Sequence, residues 1–298
     1  MNILFILHSS PTASIRGGVE EHINDLISSD QFTRNFGKIY FLYPSNQFTQ
    51  IHQQYSLTCV KPSLVHTIET LRLSTPVTNL SYKNLEFSDH IKKIILAKLI
   101  DIVHIHHLLN YPLNLPLVAK QAGAKVILSI HDYFLICPQF NLIDYKDQFC
   151  GYPNVSRIRC DICLKHTHKL QSNSQLQRQI LVSELFCSPD LIHSVSHDVQ
   201  KRLKSAYPHI EEKIQLVMGV GIDSVAFPKS KPIKVVSKTV NIGFIGSFTS
   251  NKGAKDILDV LEYFIENRDK FSFKFHIIGD IRQDYKENIY FLSKQFPK

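Results

Sequence analysis

Four groups of residues in this 298-residue chain have the types and spacing to do chemistry. Gly17-Gly18 follows a polar loop ending in Arg16 and precedes a run with helical spacing. Glycines there let a phosphate approach the unpaired amides of a helix start, and Arg16 would add a charge-assisted contact. A tight turn without a ligand is the other reading. His131 and Asp132 end an apolar run. An imidazole there can exchange a proton near neutral pH or hydrogen-bond a hydroxyl, or simply pack at a strand end. Adjacent side chains point in different directions, so a His–Asp relay is not implied. The third group is the loop Gly246-Ser-Phe-Thr-Ser-Asn-Lys-Gly253. Lys252, Ser247 and Gly253 beside a helix start would suit a diphosphate, unless Lys252 is an ordinary solvated lysine.

The fourth group is Cys137, Cys150, Cys160 and Cys163, spaced C-x12-C-x9-C-x2-C in a polar segment. Four thiolates suit tetrahedral zinc, and a metal would clamp an insertion poor in apolar residues. Reduced thiols, a disulfide pair or iron–sulfur ligation are the alternatives, and Cys59 and Cys187 read as unrelated thiols. His104 and His106 share one strand face while His107 points away; a third and fourth metal ligand for them is not evident. The two glycine loops fit neither G-x-G-x-x-G nor the P-loop pattern, and no G-x-S-x-G elbow is present.

These groups need elements to hold them. Apolar runs predict strands at Asn2–Leu7, Lys38–Tyr43, Ile102–His106, Lys125–Ile130, Asp190–Val195 and Ile214–Met218, with an edge strand at Leu57–Val60. Helical spacing follows Gly18 through Val19, Ile23, Leu26 and Ile27, and recurs at Ile91–Leu99, Leu115–Gln121 and His197–Ser205. A second strand–loop–helix–strand series runs from Val240–Gly246 through Ala254–Asn267 to Phe273–Gly279. Short buried strands alternating with helices predict doubly wound parallel α/β sheets, which bind ligands outside the carboxyl ends of their strands. Gly17-Gly18, His104/His106/His107, His131/Asp132 and the Gly246–Gly253 loop all end or follow predicted strands. The division expected is 1–225 for an amino-terminal domain with a cysteine-containing insertion at 137–163, a proline- and lysine-rich linker at 226–239, and an incomplete second domain at 240–298.

Composition excludes disordered, collagen-like and long coiled-coil chains: 44% of residues are hydrophobic and 20% charged. The net charge of +8, from 34 basic and 26 acidic residues, favours an anionic partner. Lys201, Arg202 and Lys204 form a solvated face or a peripheral contact for an anionic membrane. No RNA-binding motif is present, so nucleic acid is not an expected partner. The start lacks a basic signal-peptide region, and no apolar stretch is long enough to span a membrane. A cytoplasmic location is expected, at the inner face of the membrane if the basic run docks there.

Gly17-Gly-Val-Glu20, Asp101-Ile-Val-His-Ile-His106, Ile130-His-Asp132, Ile192-His-Ser-Val-Ser196, Gly221-Ile-Asp-Ser-Val-Ala-Phe227 and the Gly246–Gly253 loop occur in an order that resembles the retaining, nucleotide-sugar-dependent glycosyltransferases of family 4. The segment from His131 through Cys163 resembles the cysteine-containing insertion of some bacterial members. The resemblance implies a GT-B architecture of two Rossmann-like domains, with a nucleotide-sugar donor as substrate and no organic cofactor. It implies that Gly17 and Gly18 approach the donor, His131 contacts the transferring sugar and Lys252 neutralises the departing diphosphate. Where family members often carry an arginine after the glycine that ends the preceding strand, this chain has Ser247. The acceptor implied is a saccharide or lipid-linked saccharide, in bacterial surface polysaccharide or lipopolysaccharide synthesis. The family's paired glutamates would fall beyond the last residue of this sequence, so an inactive remnant or binding protein is the competing expectation. A metal-dependent hydrolase built on the histidines is a third.

Overall fold

The computed structural model describes residues 1–12, 17–45, 53–61, 64–78, 81–210, 213–219, 239–267, 269–270 and 272–295. Arg16 and all of the expected linker except Thr239 lie outside them. The chain divides into one unit of Met1–Tyr145 and Phe149–Ser224 and another of Lys146–Gln148 and Val225–Lys298.

The first unit is built on an eight-stranded sheet of β1 (Asn2–Ile6), β2 (Lys38–Pro44), β3 (Gln53–Lys61), β4 (Leu64–Leu73), β5 (Ile102–Ile105), β6 (Lys125–Ile130), β7 (Leu191–Ser194) and β8 (Ile214–Val217). Their order across the sheet is β4-β3-β2-β1-β5-β6-β7-β8. Pairings from β2 through β1 to β8 are parallel; β3 is antiparallel to both β2 and β4. The expected edge strand at Leu57–Val60 is therefore an inner strand of a hairpin, and β4 forms the edge. The 45–90 segment hid this because its alternation is broken by a register shift at Leu57/Thr58.

Period-two alternation sorts β1 between two cores. Leu4 and Ile6 join a large cluster containing Phe87, Ile91, Ile94, Ile95, Leu115 and Val118, whereas Ile3, Phe5 and Leu7 pack with Val19 and Ile23. These residues belong to α1 (Gly18–Ser28) on one face and to α3 (Leu85–Ala97) and α4 (Leu115–Gln121) on the other. A short α2 (Asp30–Thr33) follows α1. Helix α3 begins earlier than its apolar spacing predicts, because the Asn84 side chain accepts from the Phe87 amide at 2.9 Å. Two further helices, α5 (Arg157–His168) and α6 (Ser174–Leu185), were not expected, and α7 (His197–Ala206) is capped by Ser196.

The second unit has two parallel strands, β9 (Val240–Ile245) and β10 (Phe273–Ile278), with α8 (Ala254–Glu266) and α9 (Gln283–Gln295). Phe248, Ala254, Leu258, Leu261 and Leu292 form its buried cluster. The strand ends pinch together at glycines: a Cβ on Gly279, whose φ is 138°, would lie 2.2 Å from the Gly246 carbonyl oxygen. Among the described residues no helix is long and apolar enough to cross a membrane.

Candidate functional site

At the carboxyl edge of β1, Gly17 caps α1 and donates its amide to Glu20 Oε2 at 3.0 Å. Ser9 Oγ donates to Glu20 Oε1 at 2.6 Å, and His8 Nε2 lies 3.5 Å from the same oxygen. Burial would raise the pKa of Glu20, but the Ser9 hydroxyl, His8 and backbone amides outweigh it and hold the carboxyl below its usual range. The first helical bond runs from Glu21 to Gly17, so the amides of Gly18, Val19 and Glu20 lie ahead of the helical ladder. Gly17 and Gly18 are exposed, and nothing lies within 4 Å of a Cβ placed on Gly18. A Cβ on Gly17 would stand 3.0 Å from Glu20 Oε2, so glycine is what lets this carboxylate close onto the loop. Sequence reasoning quoted Glu20 only as part of a motif and missed this anchoring role. A buried acid two residues before a half-buried histidine gave no chemical signal by itself.

The sheet register builds the next part of the site. Phe5 pairs with His104, His104 with Ile127, and Ser129 with His193, which carries His104, His106, Ser129 and His193 along the face covered by α1. His131 continues that alternation past β6. His193 Nε2 bonds the Met218 carbonyl at 2.7 Å, and only the N–H can serve an oxygen acceptor. In a neutral imidazole Nδ1 then accepts, so Ser129 Oγ donates to it at 2.9 Å and in turn accepts from His104 Nε2 at 2.8 Å. His106 Nδ1 and His131 Nε2 are 3.0 Å apart. His22, on α1, brings its ring 6.0 Å from that of His106 and 6.2 Å from that of His131.

His104, His106 and His131 are held neutral. Burial, assisted by the neighbouring imidazoles, lowers His131 to about 4 and His104 to about 3, and holds His106 well below its ordinary value. Asp132 does not serve His131. Its Oδ2 faces His107 Nε2 at 3.1 Å and its Oδ1 accepts from the Phe134 amide at 2.8 Å. The Leu109 amide donates to His107 Nδ1 at 2.9 Å, so His107 donates from Nε2 to the carboxylate. Burial opposes ionisation of Asp132, but His107 and the Phe134 amide keep its pKa below the ordinary value. The loop after His131 is braced from below. Arg178, 0% exposed, donates to the carbonyls of Phe134 and Leu135, Tyr207 Oη donates to Leu135 at 2.7 Å, and Gln175 Nε2 donates to Ile136 at 2.7 Å.

Ser247, Lys252 and Gly253 lie in the second unit, on the loop after β9. Ser247 and Lys252 are exposed; Lys252 ends a 3-10 turn, and Gly253 (φ 81°) leads into α8.

Cys137, Cys150, Cys160 and Cys163 line one small cavity, together with Asp144 and Arg159. All are free thiols, and among the described residues no three His, Cys, Asp or Glu side chains are grouped to hold a metal ion. The grouping thus gives no support to structural zinc, nor to metal binding by His104, His106 and His107. The reason is local: Cys160 and Cys163 ride on α5, with Cys137 and Cys150 on loops packed at the edge of the large core. Burial pushes the Cys137 thiol up to about 12 and raises those of Cys160 and Cys163, as suits neutral packed thiols. In the expected basic run, Arg202 is engaged with Asp198 at 2.9 Å and with the Tyr152 carbonyl.

Residues 16–219 match the sequence profile described as Glycosyltransferase Family 4. No curated protein matches the chain. Among solved structures, trehalose-6-phosphate from E. coli bound with UDP-2-fluoro glucose is similar at a TM-score of 0.52 and 12% identity, over 99% of this chain and 69% of that one. S. aureus MnaA with UDP is more distant, at a TM-score of 0.42 and 12% identity over 99% of this chain and 65% of that one. UDP-GlcNAc 2-epimerase from Neisseria meningitidis, bound to UDP-GlcNAc, has a TM-score of 0.33 and 13% identity over 99% and 76% of the two chains. The chain therefore spans about two thirds of the length of the first two. The E. coli likeness shows the fold, α/β of the GT-B type, as the resemblance implied. The profile covers most of the sequence and includes Gly17, Gly18 and His131, and on that ground the chain belongs to glycosyltransferase family 4.

Proposed function

We propose that this chain takes part in moving a sugar from a nucleotide-sugar donor to a saccharide or lipid-linked acceptor, with retention, in bacterial surface polysaccharide or lipopolysaccharide synthesis. The observation that carries the reading is the pairing, at one sheet edge of a family 4 chain, of an uncovered Gly17–Gly18 helix start with a histidine held neutral. The helix-start amides suit an anionic diphosphate, and a neutral His131 can contact sugar oxygens without competing for the phosphate as a cation. In the reaction the bond from C1 to the diphosphate breaks and a bond from C1 to the acceptor oxygen forms on the same face. The acceptor's proton passes to the departing diphosphate. Lys252 is proposed to neutralise the charge that builds there, and Ser247 and Gly253 to line its loop. Zinc has no part in this reading.

Titration of the chain with UDP- and GDP-sugars, followed by transfer assays on saccharide acceptors, tests the proposal. Donor binding that weakens at least tenfold in Gly18→Val and His131→Ala is expected. No binding of any nucleotide sugar would overturn the proposal and favour the competing reading of an inactive remnant or binding protein lacking the full donor site.

A further inference from the structure

His106 pairs with His131 through Nδ1 and leaves its other nitrogen, Nε2, buried and without a partner among the described residues. The residue is 1% exposed and its ring lies against those of Phe5 and His104, at 5.6 and 4.0 Å between centroids. One proton is shared out between two arrangements. If His131 donates from Nε2, His106 must accept at Nδ1 and carry its own proton on Nε2, where an N–H would be orphaned. If His106 donates from Nδ1, the orphan is only a lone pair. Buried N–H groups without an acceptor are rarer in folded proteins than acceptors without a donor, so the second arrangement is favoured. It makes His131 Nε2 an acceptor and places the His131 proton on Nδ1. No other described residue bonds Nδ1, and His131 is only partly buried.

We infer that His106 is a positioning residue that sets His131 as its Nδ1–H tautomer, so that His131 meets its ligand as a hydrogen-bond donor to a sugar oxygen and not as a base. The ligand half of this statement rests on the nucleotide-sugar reading; the tautomer half does not. Two other features serve the same end. The directed chain His104–Ser129–His193–Met218 has no proton to give to this pair, because each of its donors is already committed. Asp132, which would pull a proton onto its partner, is turned to His107.

The test is nitrogen-resolved NMR of the whole chain with labelled histidine, His131 being assigned by the signals lost in His131→Asn. At pH 7.5 the expected spectrum shows His131 Nδ1 protonated and Nε2 bare; a protonated Nε2 overturns the inference. His106→Asn, whose amide N–H₂ overlays the Nδ1 position, should keep this tautomer, while His106→Leu should shift the population toward Nε2–H. If Leu disrupts folding, the wild-type and Asn spectra alone decide the point. Transfer or donor affinity should fall about tenfold in His106→Leu and recover to within threefold in His106→Asn. The expected tautomer in a chain that binds no nucleotide sugar would overturn the ligand half and leave the role of His106 standing.

Discussion

Lowering the pH from 7.5 to 5.0 should weaken the first unit through three of its histidines, His104, His106 and His131. His131 sits at about 4 and His104 at about 3, against an ordinary value of 6.5, because burial penalises the charged ring. Between 6.5 and those values the unfolded chain binds protons that the folded chain refuses, so stability is full above pH 6.5 and falls as the pH drops toward 4. At pH 5.0, roughly 1.5 pH units below 6.5, each imidazole removes at most about 2 kcal/mol, or about 4 kcal/mol for the pair. Solvent reaches part of both side chains, which trims their share, while buried His106, also held well below its ordinary value, adds to the loss. The chain has no tryptophan, so intrinsic tryptophan fluorescence cannot report on this unit. Hydrogen exchange of peptides from β5 and β6 in urea, corrected for the intrinsic pH dependence, follows this unit specifically. A combined His104→Asn, His106→Asn and His131→Asn variant should lose most of the slope. Stability of β5 and β6 that stays within 1 kcal/mol between the two pH values would refute the claim that these rings are buried neutral.

Three further outcomes are expected. Replacing Arg178 with Met leaves the Phe134 carbonyl without this donor and should cost about 2–3 kcal/mol in denaturation; an unchanged midpoint would show that the brace beneath the His131 loop is idle. Glu20→Ala removes the partner of the Gly17 amide and of Ser9, so melting should drop by the equivalent of about 1–2 kcal/mol. Donor affinity should fall with it, since the helix start then loses its anchor. Protein purified without chelator should carry well below one equivalent of zinc by elemental analysis, with its thiols slow to react until unfolded. A stoichiometric, tightly held zinc would mean that the four thiols regroup around metal.

How far the site could be read from the chain differs by residue. The placement of Gly17–Gly18 and His131 at the carboxyl edge of the sheet was legible because each follows a short apolar run, and a strand in a parallel sheet delivers whatever follows it to that edge. The shared face of His104 and His106 followed from strand alternation alone. Helices α5 and α6 were not legible. Both are mostly polar, and the residues they bury, Cys163, Leu164, Gln175, Arg178 and Val182 among them, make no clean apolar stripe. Arg178 reads in one dimension as a surface arginine, and its burial is a matter of what lies above it.

What local order determined is the set of elements: alternating apolar residues in β1 can only be satisfied by cover on two faces, and a glycine pair before Val19 and Ile23 starts a helix there. What the tertiary structure alone decided is which polar atom meets which. The partners His106–His131, His104–Ser129 and His107–Asp132 are each 25 residues apart, and Arg178 lies more than 40 residues beyond the carbonyls it holds. Those meetings depend on the register of parallel strands joined by crossovers. A crossover of any length brings the same two strands together, so spacing along the chain carries no record of the pairing, and with it none of the direction in which each proton points.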